Sequence, residues 1–254
     1  MVLIVEHLLS PQVLPQSWHA GSATYGVRDP AIVCDEGGNP LSTEDGQLLA
    51  ATVSTSKTSQ WSQLYAVSQG RTQIICPLSM PEFADRDAWD HGMQTTPQVL
   101  SLSRELSRKL SNGRDQMFAL FYRGGSEPYD DAIGLRLAPT VQALAFADGI
   151  RILTSAAFAD MPIKPPVQMG LPFVVRSEDR FVLLFEGDSK AHGAAQIFGA
   201  ESFDLLSWKP ICPEPLVHPQ TFDLPNVSYA NPRLHYLGES HAYLLAFNAS
   251  GPRD

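Results

Sequence analysis

"RDPAIV", residues 28–33, joins a charged pair, a proline and an apolar run, and the chain repeats that shape three more times. The echoes are "TTPQVL" at 95–100, "GLPFVV" at 170–175 and "ANPRLHY" at 230–236. In each, a proline opens a stretch rich in β-branched, aromatic or long aliphatic residues, the composition of a strand. Proline has no N–H to give to a ladder, so within sheets it is confined to strand starts, edges and bulges. After a turn, each unit continues into a second strand with a similar ending: "LLAATVS", "FALFYRGG", "FVLLFEGD" and "YLLAFNAS". Self-similar sheets of this kind bury both faces only when packed radially. The expected fold is therefore all-β, a β-propeller forming a single domain over 1–254, with repeats starting near 29, 96, 170 and 230. The starts of its inner strands would line an axial pocket.

Between these units lie further short strands, and a helical turn is expected only between Ser101 and Leu110. The fourth repeat has just two strands before the chain reaches Asp254. Ring closure is expected either from an N-terminal "VLIV" strand added to the last sheet, or from a fifth blade to which residues 1–28 and 138–169 contribute.

Composition narrows the function classes. The 254 residues are 44% hydrophobic and 18% charged, as in a folded globular chain. A formal net charge of −9 with no run of Lys or Arg repels phosphate backbones, which argues against nucleic acid and anionic membranes as partners. "MVLIVEHLLSPQVLPQ" lacks the basic start of a signal peptide, and no apolar segment is long enough to span a bilayer. Three distant cysteines, Cys34, Cys76 and Cys212, read as buried reduced thiols, so a cytoplasmic location is expected. Seven scattered histidines show no metal-ligand spacing, and no cofactor is expected. The expected partner is a small-molecule substrate; the oligomeric state is left open.

"RDP" before a strand, followed by the proline-led and "FALFYR"-type repeats, resembles the five-bladed propeller glycoside hydrolases of families 43, 32 and 68, over roughly residues 25–250. The resemblance implies five blades and an axial pocket in which acidic residues at inner-strand starts do the chemistry. It implies that Asp29 is the first-strand carboxylate and that Arg28 binds sugar hydroxyls or holds Asp29 ionised. A guanidinium beside a carboxylate favours the charged form. Asp-Pro also serves simply to cap a turn. The family's acid, a glutamate one or two residues before a later proline, has no counterpart. Thr95 and Thr96, Met169 and Gly170, and Ala230 and Asn231 occupy those places, and none is a carboxylate that could protonate a leaving group.

Substitutes are sought nearby. The loop "DRDAWDHGMQTTP" brings Asp85, Asp87, Asp90 and His91 before the second inner strand, with Trp89 as a stacking wall and His91 as a group for proton transfer near neutral pH. A solvated acidic loop is the simpler account of the same residues. Glu186 ends a second strand where the other repeats carry Ser54, Arg123 and Asn248.

Two enzymatic readings and one binding reading follow. In the first, a glycosidase-like pocket promotes isomerisation, cyclisation or cycloaddition by positioning and hydrogen bonding, as a lyase or isomerase. Asp29, Arg28 and His91 would be catalytic there. Tyr25, Trp89, Asp90, Thr96, Glu186, Tyr229 and Asn231 would hold the ligand. In the second, an active glycoside hydrolase uses Asp29 as base or nucleophile and Asp90 or Glu186 as acid. The third is a carbohydrate-binding propeller without chemistry. Two carboxyl groups across one cavity favour hydrolysis, whereas one carboxylate among aromatic walls favours the repurposed enzyme.

Overall fold

Each of the four proline-led stretches forms the first strand of its own antiparallel sheet. The computed structural model describes residues 26–54, 60–69, 71–79, 88–111, 113–125, 132–159, 168–188, 195–212, 214–217, 228–237 and 242–250. The first six strands are β1 (Gly26–Ile32), β2 (Cys34–Asp35), β3 (Ser42–Thr43), β4 (Gly46–Ser54), β5 (Gln60–Ser68) and β6 (Arg71–Pro77). The first sheet runs β1-β4-β5-β6, with β3 paired to β4. Next come β7 (Met93–Ser101), β8 (Phe118–Gly125), β9 (Ala132–Ala138) and β10 (Ile150–Leu153). They form the second sheet, to which β2 adds in parallel beside β7. The third sheet is β11 (Gln168–Ser177), β12 (Arg180–Asp188), β13 (Ala195–Ser202) and β14 (Lys209–Pro210); the fourth is β15 (Ser228–Leu237) with β16 (Ala242–Ser250).

Period-two alternation explains why the sheets pack face to face. Along β7 and β8, Val99, Leu120 and Tyr122 join the core shared with the first sheet, through Val33, Leu48, Ala50 and Leu64. Their neighbours Leu100, Ala119 and Phe121 face the other way, into the core shared with Phe181, Phe185 and Phe198 of the third sheet. A third cluster joins Ile197 of the third sheet to Tyr229, Leu245 and Phe247 of the fourth. The remaining face of the first sheet is buried as well, at Ala51, Val53 and Tyr65. Successive sheets packed face to face in this way are the blades of a β-propeller.

Polar ties set the sheets against one another near the axis. The Ser62 hydroxyl of β5 donates to the Gln94 carbonyl of β7 at 2.9 Å. The buried Gln98 amide acts like a short piece of strand, donating to the Val174 carbonyl at 2.9 Å and accepting from the Val174 N–H at 2.5 Å. At the far ends of the inner strands, buried Glu36 accepts from the Ser103 N–H at 2.5 Å and from Arg176 Nη1 at 2.8 Å. Its carbonyl also accepts the Arg176 N–H at 2.8 Å.

The expected helical turn is α1 (Arg104–Leu110), capped by Ser103, with Glu105 in its first turn and Arg108 and Lys109 in its last. In segment 138–169, the one described strand, β10, joins the second sheet instead of starting another. Four sheets stand among the described residues, and the expected N-terminal closing strand lies outside them. Cys34, Cys76 and Cys212 are free thiols, but each is half-buried rather than enclosed. No helix among the described residues is long and apolar enough to cross a membrane.

Removing the Glu36 carboxylate strands the Arg176 guanidinium and the Ser103 N–H together. Glu36→Ala is expected to cost about 2–4 kcal/mol, read as a lower urea midpoint at unchanged slope.

Candidate functional site

The four prolines sit in the same backbone device. On each inner strand two residues face one on the neighbouring strand: Asp29 and Pro30 face Ala51, Thr96 and Pro97 face Tyr122, Leu171 and Pro172 face Phe185, and Asn231 and Pro232 face Phe247. These are β-bulges, and proline is tolerated there because the bulged position owes no ladder bond. The residue before each proline is left-handed, with φ of 53° at Asp29, 52° at Thr96, 50° at Leu171 and 53° at Asn231. Asp and Asn tolerate that conformation; for a β-branched Thr or a bulky Leu it is a strained outlier. The register also shows which second-strand positions are equivalent. Arg28, Thr95, Gly170 and Ala230 pair with Thr52, Arg123, Glu186 and Asn248. By this register the equivalent of Glu186 in the first repeat is Thr52 and not Ser54.

Members of these sets from the first three sheets line a cavity of about 200 Å³. The first sheet supplies Arg28 and Asp29, the second Thr95, Thr96 and Arg123, and the third Gln168, Met169, Gly170, Leu171, Glu186 and Ala195. The volume is below the roughly 300–1,000 Å³ of clefts for drug-sized ligands, which suits a single small ring. Among the described residues, two carboxylates and two guanidiniums line it, and no aromatic side chain does.

Asp29 is the most elaborately held of these groups. Burial pushes its carboxyl above the ordinary carboxylate range, against the opposing pull of Arg28, a hydrogen bond from Thr52, Arg233 and Arg123. Arg28 Nε stands 3.6 Å from Asp29 Oδ2, and its Nη2 donates to Gln60 Oε1. Arg233 comes from the fourth sheet. Its guanidinium lies 5.3 Å from the Phe173 ring centre of the third sheet and feels Asp29 of the first sheet and Cys34 of β2. Burial pulls the Arg233 guanidinium down, while Asp29 and Cys34 oppose that pull. Arg123 reaches the other way: its charge is felt at Asp29, and its side chain crosses Gly170, where an added β-carbon would lie 3.1 Å from Arg123 Cδ. Glycine at 170 thus leaves the space that Arg123 fills.

The structure separates the expected site residues into two groups. Arg28, Asp29, Thr96 and Glu186 come together at the cavity. Asn231 has the same bulged backbone on the fourth sheet. Trp89, Asp90 and His91 are instead engaged at the second sheet. Buried Asp90 accepts from the Tyr122 hydroxyl at 2.5 Å and from Arg136 Nη2 at 3.1 Å. Trp89 donates to the Gly149 carbonyl at 2.9 Å and stacks on Tyr122, and His91 closes a turn onto the Ala88 carbonyl. Tyr229 is core, packed edge-on against Phe247 at 5.3 Å. Tyr25, Asp85 and Asp87 lie outside the described residues. Sequence reasoning missed Arg123 and Gln168 as cavity residues; an arginine inside the apolar strand "FALFYRGG" was the available signal. Among the described residues no group of three His, Cys, Asp or Glu could hold a metal ion.

No protein-family model and no curated protein matches this sequence. Solved structures do resemble it. A glycoside hydrolase superposes with a TM-score of 0.58 at 11% identity, over 88% of this chain and 69% of that one. A family 117 glycoside hydrolase from the marine bacterium Zobellia galactanivorans gives 0.53 at 11% identity, over 91% and 71%. Inulosucrase from Halalkalicoccus jeotgali bound to kestose gives 0.55 at 11% identity, over 84% and 57%. The chain therefore has the fold of the propeller glycoside hydrolases.

Two measurements check the site. Leu171→Asn keeps the left-handed turn with a residue that accepts it, as Asn231 already does, and is expected to raise stability by about 1 kcal/mol in urea unfolding. Asp29 has a folded pKa above its unfolded one, so its contribution is fully present at acid pH and is lost as pH rises through the folded value. Asp29→Asn is therefore expected to raise the thermal midpoint at neutral pH, with the gain vanishing below the ordinary carboxylate range.

Proposed function

We propose that this chain hydrolyses a glycosidic bond of a carbohydrate, with Asp29 as base or nucleophile and Glu186 as the acid. The observation that carries the reading is that Asp29 and Glu186, from the first and third sheets, line one cavity. Glycoside hydrolysis needs two carboxyl groups flanking the bond to be cut, one to protonate the leaving oxygen and one to act on the anomeric carbon or its water. Asp90 is the weaker choice for the acid, because its carboxylate already serves Tyr122 and Arg136 in a buried cluster.

The rest of the lining fits a sugar. Arg28, Arg123, Thr95, Thr96 and Gln168 offer hydrogen-bonding groups to hydroxyls, and Met169, Leu171 and Ala195 offer an apolar side to a ring's C–H face. A kestose-bound inulosucrase among the structures of the same fold supports a carbohydrate ligand. Isomerisation or cyclisation by positioning around one carboxylate among aromatic walls has less support, since the described lining residues include two carboxylates and no aromatic ring.

The test is a panel of aryl glycosides. At least one is expected to be hydrolysed by the wild type, with kcat falling about 10²–10⁴-fold in both Asp29→Asn and Glu186→Gln. Because burial raises the Asp29 pKa, kcat/KM is expected to climb with pH on its acid side only above the ordinary carboxylate range. Binding of sugars without turnover of any glycoside would replace this reading with that of a binding module.

A further inference from the structure

We propose that Thr52 is the positioning residue for Asp29, holding its carboxylate through a relay of hydroxyls that runs across three sheets. The inference rests on the reading of Asp29 as the reacting carboxylate. Its starting point is the register, which makes Thr52 the first-sheet counterpart of Arg123 and Glu186. Those two reach the cavity; Thr52 is short and fully buried behind it.

A threonine hydroxyl has one proton to give and two lone pairs. The Thr96 N–H donates to Thr52 Oγ1 at 2.7 Å, which occupies an acceptor site. The proton remains for Asp29, which directly follows the residue paired with Thr52 and whose carboxyl Thr52 pulls toward the ionised form. The Thr96 N–H is available for this because the left-handed bulge sits outside the β7–β8 ladder. The relay continues, since the Leu171 N–H donates to Thr96 Oγ1 at 3.2 Å. Two threonine hydroxyls thus connect Asp29 to the strained backbones of the second and third sheets. Neither hydroxyl can swing to another partner without abandoning a backbone N–H.

The other groups facing Asp29 act differently. Arg28, Arg123 and Arg233 contribute charge, and Glu186 shares the cavity. Arg28 is half-exposed, at 53% of its side chain, and also serves Gln60, so it is a soft restraint. Thr52 is the short, buried, directional contact that fixes where the carboxylate points and favours its ionised form.

The experiment uses the full chain with 13C-carboxyl-labelled aspartate, the Asp29 signal being identified by its loss in Asp29→Asn. Thr52→Val keeps the shape and removes the hydroxyl; Thr52→Ser keeps the hydroxyl. The Asp29 titration midpoint is expected to move to higher pH in Thr52→Val and to stay at the wild-type position in Thr52→Ser. With the aryl glycoside that the wild type turns over, Thr52→Val is expected to lower kcat/KM about 10–100-fold, mostly through kcat, with the acid limb displaced in the same direction. A Thr52→Val protein whose Asp29 titrates like the wild type overturns the proposal, and so does a Thr52→Ser protein displaced as far as Thr52→Val. If no aryl glycoside is hydrolysed by the wild type, the glycosidase reading fails, while the titration still decides whether Thr52 holds Asp29.

Discussion

The left-handed residue followed by proline is the constraint on which the rest of this molecule depends. An inner strand that keeps regular pairing would send its side chains alternately to the two faces of its own sheet, and none would project toward the axis. One inserted residue breaks that alternation at the same height in all four sheets. The proline holds the inserted position out of the ladder, and the residue before it turns toward the centre. Aspartate, threonine, leucine and asparagine all adopt this turn within three degrees of φ. Because two of the four are residues that resist it, the surrounding packing and not local preference sets the conformation.

Charge at the centre follows from that arrangement. Asp29 is drawn into a partly desolvated position, and three arginines from three different sheets respond to it. Their combined pull does not fully offset burial, so the carboxyl stays above the ordinary carboxylate range. A structural ion pair shows the contrast: Arg136 and Tyr122 both engage Asp90 in the buried interior of the second sheet.

Much of the framework was legible in the sequence because proline and apolar runs are local signals. The four sheets, the first strand of each and the helix after Leu102 follow from short stretches, whereas the prolines expected to open those strands stand at the fifth residue of each, inside the bulges. What was not legible depends on register and on distant partners. Strand register makes Thr52, paired with Arg28, and not Ser54 the counterpart of Glu186, paired with Gly170. The loop bearing Trp89, Asp90 and His91 has the composition of a site, yet Tyr122, Arg136 and Gly149, far along the chain, engage Asp90 and Trp89. Arg123 stands inside an apolar strand, and its place at the cavity depends on distant Gly170, which leaves room for it.

At the end of the ring away from the cavity, Glu36 answers to a helix cap on the second sheet and an arginine on the third, while following directly from strands of the first and second. One carboxylate therefore belongs to three sheets at once. Peeling away the third sheet would leave that anion facing solvent with its partner gone and would loosen the helix in the same step. Loss of order should consequently spread as a single cooperative event through these three sheets, not sheet by sheet as in an elongated solenoid.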